Sequence, residues 1–274
     1  MLEQHRLQRL IDRLRARAQP PLPAGLVALM IEGAQVGDVQ PEVARFLAEK
    51  ADGFAFTDHA LTLARQALDA NARSTLLANA TGLLRDAGIV TGWRDELLSV
   101  GKPPVAVIER AACRALGITT EAVHLNAYVD TDTLLVARRA AHKQIDAGLW
   151  DNLVGGMVPA EETLEQALAR EAWEEAGLQI DRVRIERGRS FHVRRPVPEG
   201  LQSEIIHTFD TLLVPGLRLQ NRDGEVDAID ARRVEEVIGA IERDEFTLES
   251  ALVTLESVAR RSAVATPAGL FLVA

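Results

Sequence analysis

The stretch GGMVPAEETLEQALAREAWEEAGL, Gly155 to Leu178, decides how this chain is read. Pro159 blocks helix propagation from upstream, and the residues after it are strong helix formers. Gly177 is placed to stop the helix in a left-handed conformation. At 3.6 residues per turn, Glu171, Glu174 and Glu175 fall within an arc of roughly 100° and project to one patch. Like charges at i, i+3 and i, i+4 each cost about 0.2–0.5 kcal/mol in an isolated helix. Arg170 points away from the centre of the arc and relieves only part of that penalty. A hard divalent cation such as Mg²⁺ removes it, because Mg²⁺ favours carboxylate oxygens and keeps water and substrate phosphates in its shell. Gly155 and Gly156 let the backbone pass close to a metal or a phosphate with no Cβ in the way. Glu162, eight residues before Arg170, either binds Arg170 across the loop–helix turn or belongs to an outer metal shell.

A glutamate-rich helix by itself is usually a solvated face, and here the spacing overturns that reading. The segment fits G-x5-E-x7-R-E-U-x-E-E-x-G-U, with U aliphatic, at Gly156, Glu162, Arg170, Glu171, Ala172, Glu174, Glu175, Gly177 and Leu178. Seven of these positions demand one residue type, and at roughly one in fifteen each the chance match at a given start is on the order of 10⁻⁸.

This pattern resembles the Nudix box. The resemblance implies an α/β fold, the Nudix α/β/α sandwich with a mixed sheet, and hydrolysis of a nucleoside diphosphate linked to another moiety or of a related pyrophosphate. It further implies that Glu171, Glu174 and Glu175 hold Mg²⁺ or Mn²⁺, with Gly156 beside the metal and Glu162 and Arg170 supporting the loop–helix–loop. Ala172 departs from the usual Ile, Leu or Val and affects packing behind the helix. The segments MIEGAQVGDV, GWRDELLSV, VIERAACRALGI, VHLNAYV, WDNLVGG, DGEVDAI and DEFTLESALV follow an order similar to one Nudix subfamily with an extra N-terminal domain. That subfamily is related to the Nudix part of thiamine pyrophosphokinase-like proteins, some of which hydrolyse thiamine diphosphate or its damaged oxo and oxy forms. The likeness runs from about residue 26 to residue 261. The kinase domain of the fungal members has no room in 274 residues, so a kinase activity is not carried over.

The rest of the chain bounds the answer. With 47% hydrophobic and 26% charged residues the composition is that of a soluble globular protein. The net charge of −9 leaves no basic footprint for nucleic acid or an anionic membrane, whereas a bound cation still permits a small pyrophosphate substrate. A homodimer is compatible with this composition. The single cysteine, Cys113, excludes an intrachain disulfide and points to a reducing compartment, the cytoplasm. Cys113 reads as a small buried thiol on an amphipathic helix, with no histidine nearby to activate it. GLVALMI is too short to span a bilayer.

Leu7, Leu10, Ile11 and Leu14 follow i, i+3, i+4, i+7 spacing and predict a first helix, closed by QPPLPAG. LVALMIEGAQVGDV reads as strand, turn and strand, and PEVARFLAEK as a helix entered at a proline. HALTLARQALDANARSTLLANATGLLRDAG reads as helical to Gly88, and PVAVIERAACRALG as another helix ending at Gly117. After Gly117 the texture changes. AVHLNAYV alternates as a half-buried strand, DTDT turns, and LLVARR returns. Two further strands follow the acidic helix, then the NRDG turn, an alternating strand and two closing helices. The expected division is a smaller α+β domain over residues 1–118 and the Nudix domain over residues 119–274.

A further carboxylate is needed as general base. Glu225, after the Asp223-Gly224 turn, is the first candidate and Glu204 the second, while Glu171 and Glu174 complete the catalytic set. Trp150 and Asp151, just upstream of the box, are placed to meet the substrate, the ring by stacking, although a buried tryptophan is the commoner outcome. Lys143 and Arg138 are placed to reach phosphate or to stay as surface charge. His192 and His207 read as satisfied strand residues. GWRDE, residues 92–96, belongs either to the face between the domains or to the substrate pocket. The competing functions are a Nudix hydrolase of nucleotide sugars, dinucleotides or nucleoside triphosphates, and a ligand-sensing Nudix protein without catalysis. An isoprenoid isomerase needs a catalytic cysteine in the hydrolase half and is set aside.

Overall fold

Apolar stripes and alternating runs need partners, and the chain supplies them in two groups. A computed structural model describes residues 2–57, 59–63, 68–143, 145–214 and 216–261. The stripe of Leu7, Leu10, Ile11 and Leu14 forms the amphipathic helix α1 (Leu2–Ala18), which ends before Pro20. Strands β1 (Val27–Ile31) and β2 (Ala34–Val39) make the expected antiparallel pair, followed by α2 (Pro41–Lys50) with proline in its first turn.

The next segment departs from expectation. HALTL is the strand β4 (Ala60–Leu63), antiparallel to β3 (Phe54–Thr57) and parallel to β1. Leu61 and Leu63 are buried while Ala60 and Thr62 are less so, a period-two pattern that the leucine- and alanine-rich composition concealed. Residues 64–67 of the expected helix lie outside the described residues. The helix itself is α3 (Ala70–Asp86), capped by Asp69, whose carboxylate accepts from Ala72 N at 2.8 Å.

A second correction concerns PVAVIERAACRALG, which is not one helix. Strand β6 (Ala106–Glu109) pairs with β5 (Leu97–Val100), and a 3₁₀ turn, Arg110–Ala112, follows. The pairing partner and α3 decide the matter, because Ser74 Oγ accepts from Val107 N at 2.9 Å. The Glu109 carboxylate then ties the turn, accepting from Ala111 N and from Arg94 N. Cys113 is buried beyond that turn, and burial pushes its thiol up to about 12, so it is inert at neutral pH.

From residue 120 onward a single mixed sheet of seven strands takes over. Strands β7 (Thr120–Tyr128), β8 (Thr133–Arg139), β9 (Trp150–Asn152) and β10 (Val154–Met157) precede the acidic helix α4 (Leu164–Ala176). Strands β11 (Ile185–Val197), β12 (Gly200–Leu212) and β13 (Val226–Arg233) follow it, then α5 (Val234–Glu242) and α6 (Leu248–Arg261). The main order is β11-β12-β7-β8-β13, with β10 on β7 and β9 on β8. The β12–β7 pair is parallel, and its other neighbours are antiparallel. One face packs Val123, Leu125 and Phe209 on Leu168, Ala172 and Ala176 of α4. The other face packs Tyr128, Val193 and Ile206 on α5 and α6. This is an α/β/α sandwich. It buries β7 on both sides, more deeply than the alternation of AVHLNAYV implies.

α1 is an exception to any division by sequence position. It precedes the smaller sheets in the chain, yet its apolar stripe joins α6 and Val193 in one core. Elsewhere the earlier group, β1 to the 3₁₀ turn, has its own core of Leu29, Leu47, Leu77 and Ile108. It docks on the sandwich by two backbone bonds of 2.9 Å, Ala160 N to Leu97 O and Leu201 N to Arg114 O, and by the Arg194–Asp38 ion pair at 2.6 Å. Among the described residues no helix is long and apolar enough to cross a membrane.

Candidate active site

Thr163 starts α4 with a reciprocal cap: its hydroxyl accepts from Gln166 N at 3.2 Å and its own N–H donates to Gln166 Oε1 at 2.8 Å. The helix thus begins four residues later than composition suggested. Gly177 ends it at φ 62°, where an L side chain is strained. With both ends fixed, Glu171, Glu174 and Glu175 share one face, as their spacing requires.

Arg170 is the hub of that face. Its Nε donates to Glu162 Oε1 at 2.9 Å, and its Nη2 donates to Glu162 Oε2 at 3.0 Å and to Met157 O at 3.3 Å. Its Nη1 donates to Glu171 Oε1 at 2.9 Å and to Glu174 Oε2 at 3.2 Å. The guanidinium therefore reaches two of the three clustered glutamates, more than the helical-wheel argument allowed. Of the two options for Glu162, the structure shows the ion pair with Arg170. Gly156 on β10 lies against Glu171, and Glu175 Oε2 accepts from Gly155 N at 2.8 Å.

The energetics of these carboxylates fit a cation. Burial raises the Glu171 carboxyl above its ordinary range, opposed by Arg170 and reinforced by Glu174. Glu175 is buried and raised well above that range, first by burial and then by the charge of Glu171. A divalent cation beside them favours the ionised form of both and supplies the hard acid that carboxylate oxygens prefer. Among the described residues no three His, Cys, Asp or Glu side chains are already gathered as a cage. Arg170 and Gly155 N–H hold the carboxylates instead.

Beside Gly155 and Gly156 a cavity of about 410 Å³ runs between the sandwich and the earlier group. Asp151 lines it, held by Arg139 Nη1 at 3.1 Å and accepting from Asn152 N at 2.9 Å. Glu204 lines it from β12, buried and without a hydrogen bond to its carboxylate among the described residues. Burial and the charge of the neighbouring Glu249 raise the Glu204 carboxyl. Gly92 and Arg94 of GWRDE line it too, which is the pocket role of the two offered for this region, and the bond between the groups is made one residue beyond it, at Leu97.

Other sequence candidates are placed elsewhere. The Trp150 ring is not brought to the cavity: it stacks under the Arg232 guanidinium at 3.7 Å, with Arg138 at 5.9 Å, and packs on the core of α6. Lys143 and Glu225 form an ion pair with each other and do not line the cavity, although Glu175 feels the charge of Lys143. Burial pulls the Glu225 carboxyl up, and the hydrogen bond and charge of Lys143 outweigh it, leaving it below its ordinary value. His207 is bonded to Ser190 and Glu121 and His192 to Ser203, as satisfied strand residues. Sequence reasoning missed Arg110, Arg114, Glu249 and His124 of the cavity lining. Arg110 and Arg114 share one segment, while His124 and Glu249 come from two others, and no sequence spacing links the three.

Comparison with known proteins agrees with the box. Residues 120–253 match the NUDIX domain, and residues 14–120 match a domain of unknown function, DUF4743. Nudix hydrolase 24, chloroplastic, of Arabidopsis thaliana is 27% identical over 251 residues, covering 87% of this chain and 68% of that protein. Nudix hydrolase 20, chloroplastic, of the same plant is 27% identical over 239 residues, covering 80% of this chain and 63% of that protein. The chain thus spans about two thirds of the length of these relatives. The crystal structure of DR0079 from Deinococcus radiodurans aligns with a TM-score of 0.41 at 22% identity, covering 52% of this chain and 82% of that one. Residues 120–253 thus form a NUDIX domain, and its similarity to these Nudix hydrolases supports a hydrolase acting on acid anhydrides in phosphorus-containing compounds.

Proposed function

We propose that the chain is a metal-dependent pyrophosphohydrolase that cleaves the diphosphate of a small molecule, thiamine diphosphate or an oxidised analogue of it. The observation that carries the reaction is the opening of the box on the cavity through Gly155 and Gly156, with Glu171 and Glu175 packed directly behind them. Glu171, Glu174 and Glu175 would hold Mg²⁺ or Mn²⁺, which when bound neutralises charge on the diphosphate oxygens and acidifies water. Gly156 leaves space for phosphate to approach, and Arg170 keeps Glu162, Glu171 and Glu174 in register; of the two carboxylates offered as proton acceptor for water, Glu204 lines the cavity and Glu225, paired with Lys143, stands outside its lining. The choice of substrate is supported by Glu204 and Glu249, two buried carboxyls in the same cavity. Such a wall favours a headgroup that carries positive charge and N–H donors, as an aminopyrimidine joined to a thiazolium does, over a hydroxyl-rich sugar. The one buried thiol, Cys113, agrees with a reducing compartment such as the cytoplasm.

The test is Mg²⁺-dependent release of phosphate or monophosphate from a panel holding thiamine diphosphate, its oxo and oxy forms, nucleotide sugars, dinucleotides and nucleoside triphosphates. Turnover of the thiamine group, abolished by Glu174→Gln, supports the reading, and turnover of another group alone moves the substrate. No turnover of any member by the wild type sinks it.

A further inference from the structure

The group of elements before residue 118 does more than lean on the sandwich. It lines the cavity with Arg94, Arg110 and Arg114, of which Arg110 is paired with Glu96 and Arg114 with Glu199. Arg94 is mounted rigidly. Its backbone N–H donates to the buried Glu109 carboxylate at 2.9 Å, and the next residue, Asp95, is held at φ 57° and accepts from Trp93 Nε1 at 2.9 Å. The Trp93 ring is in turn covered by Arg85 at 4.8 Å. The Arg94 guanidinium itself is exposed, and no described residue makes a hydrogen bond or an ion pair to it. A fixed backbone that presents an unpaired cation to a cavity is arranged for an anion.

Arg110 adds to this. It pairs with Glu96 at 2.7 Å and stands close enough to Glu171 and Glu204 for each to act on its charge. It therefore links the box with the far lining of the cavity. The backbone bonds at Leu97 and Arg114 fix the wall relative to the box, so no domain movement is required to bring it into place.

We propose that Arg94 and Arg110 bind the phosphate of the substrate that lies away from the box carboxylates, so that the N-terminal group of elements is the anion-recognition half of the active site. This rests on the pyrophosphohydrolase reading and deepens it. The ligand class is a small molecule ending in a diphosphate, whose terminal dianion matches two guanidinium groups better than an internal linkage does.

The experiment uses the full chain with Arg94→Ala, Arg94→Lys and Arg110→Lys, and Arg45→Ala as a control at a site remote from the cavity. In Mg²⁺ assays on the best panel substrate, Arg94→Ala raises KM about tenfold to a hundredfold, the loss of one charge-assisted bond, with kcat changed less than about threefold. Arg94→Lys recovers part of the loss, Arg110→Lys raises KM in the same sense, and Arg45→Ala behaves as wild type. Calorimetry with methylenediphosphonate and Ca²⁺ gives a readout free of turnover, in which Arg94→Ala weakens binding by a similar factor. Wild-type KM and wild-type binding in both Arg94→Ala and Arg110→Lys overturn the inference while leaving the hydrolase standing. Absence of turnover by the wild type with methylenediphosphonate binding that still depends on Arg94 overturns the hydrolase and keeps the anion site.

Discussion

Gly156 and Glu171 touch so closely that a methyl group built on Gly156 would sit 1.9 Å from Glu171 Oε1 and 2.0 Å from Cδ. The clash is with the far end of a side chain, so the fold can yield by swinging the carboxylate aside. Gly156→Ala is therefore expected to lower kcat/KM about a hundredfold or more, while moving the melting temperature by only a few degrees. Steady-state kinetics beside thermal unfolding check this. A collapse of stability equal to the loss of activity would assign Gly156 to folding instead.

Arg170 holds Glu162 by two of its nitrogens and reaches Glu171 and Glu174 by the third. Removing the guanidinium leaves carboxylates facing one another, so Arg170→Ala should destabilise the chain by about 1–3 kcal/mol in the absence of metal. Saturating Mg²⁺ should return part of it. Glu162→Ala and Arg170→Ala share one interaction, and their effects should fall short of additivity in a double-mutant cycle read by urea unfolding.

Lys143 holds the Glu225 carboxyl below its ordinary value. If Glu225 accepts the proton of water, the acid limb of kcat/KM lies below the usual glutamate range, and Lys143→Ala moves that limb upward toward it. Glu225→Gln should then lower kcat about 10²–10⁴-fold. An unshifted limb in Lys143→Ala removes Glu225 from the role.

Glu121, at the start of the central strand, titrates at about 2, first because His207 donates to it and then, against the opposing effect of burial, because Lys102 does. Its pKa is depressed relative to the unfolded chain, so its contribution is complete above about 4.5 and is lost as pH falls from there toward 2. Glu121→Gln should flatten the acid side of the stability curve in that window and change little at pH 7 to 8 relative to pH 6. Urea unfolding between pH 2 and pH 8 measures it.

What could be read from sequence follows the range of the interactions involved. The box is local: nine positions within 23 residues are set by one helix and the loop before it, so spacing alone placed Glu171, Glu174 and Glu175. The strand at Ala60–Leu63 escaped because β1 and β3 pair with it, while its leucines and alanines suit a helix equally well. The cavity escaped for the same reason on a larger scale. Arg94, Arg110 and Glu249 meet only after two sheets have formed and docked, and no one of them carries a mark in the sequence beyond being charged.

The pairing of α1 with α6 also has a consequence for the order of events during synthesis. Arg6 bonds to Glu242 across 236 residues, and Leu7, Leu10 and Leu14 enter a core completed by α6. Closing so long a loop is slow, although its entropic cost grows only logarithmically. A ribosome releasing this chain presents the leucine stripe of α1 first and makes its cover last. The intervening elements can collapse on their own core while that stripe stays wet, open to chaperones and to the same stripe on a neighbouring nascent chain. Helix α1 waits for α6.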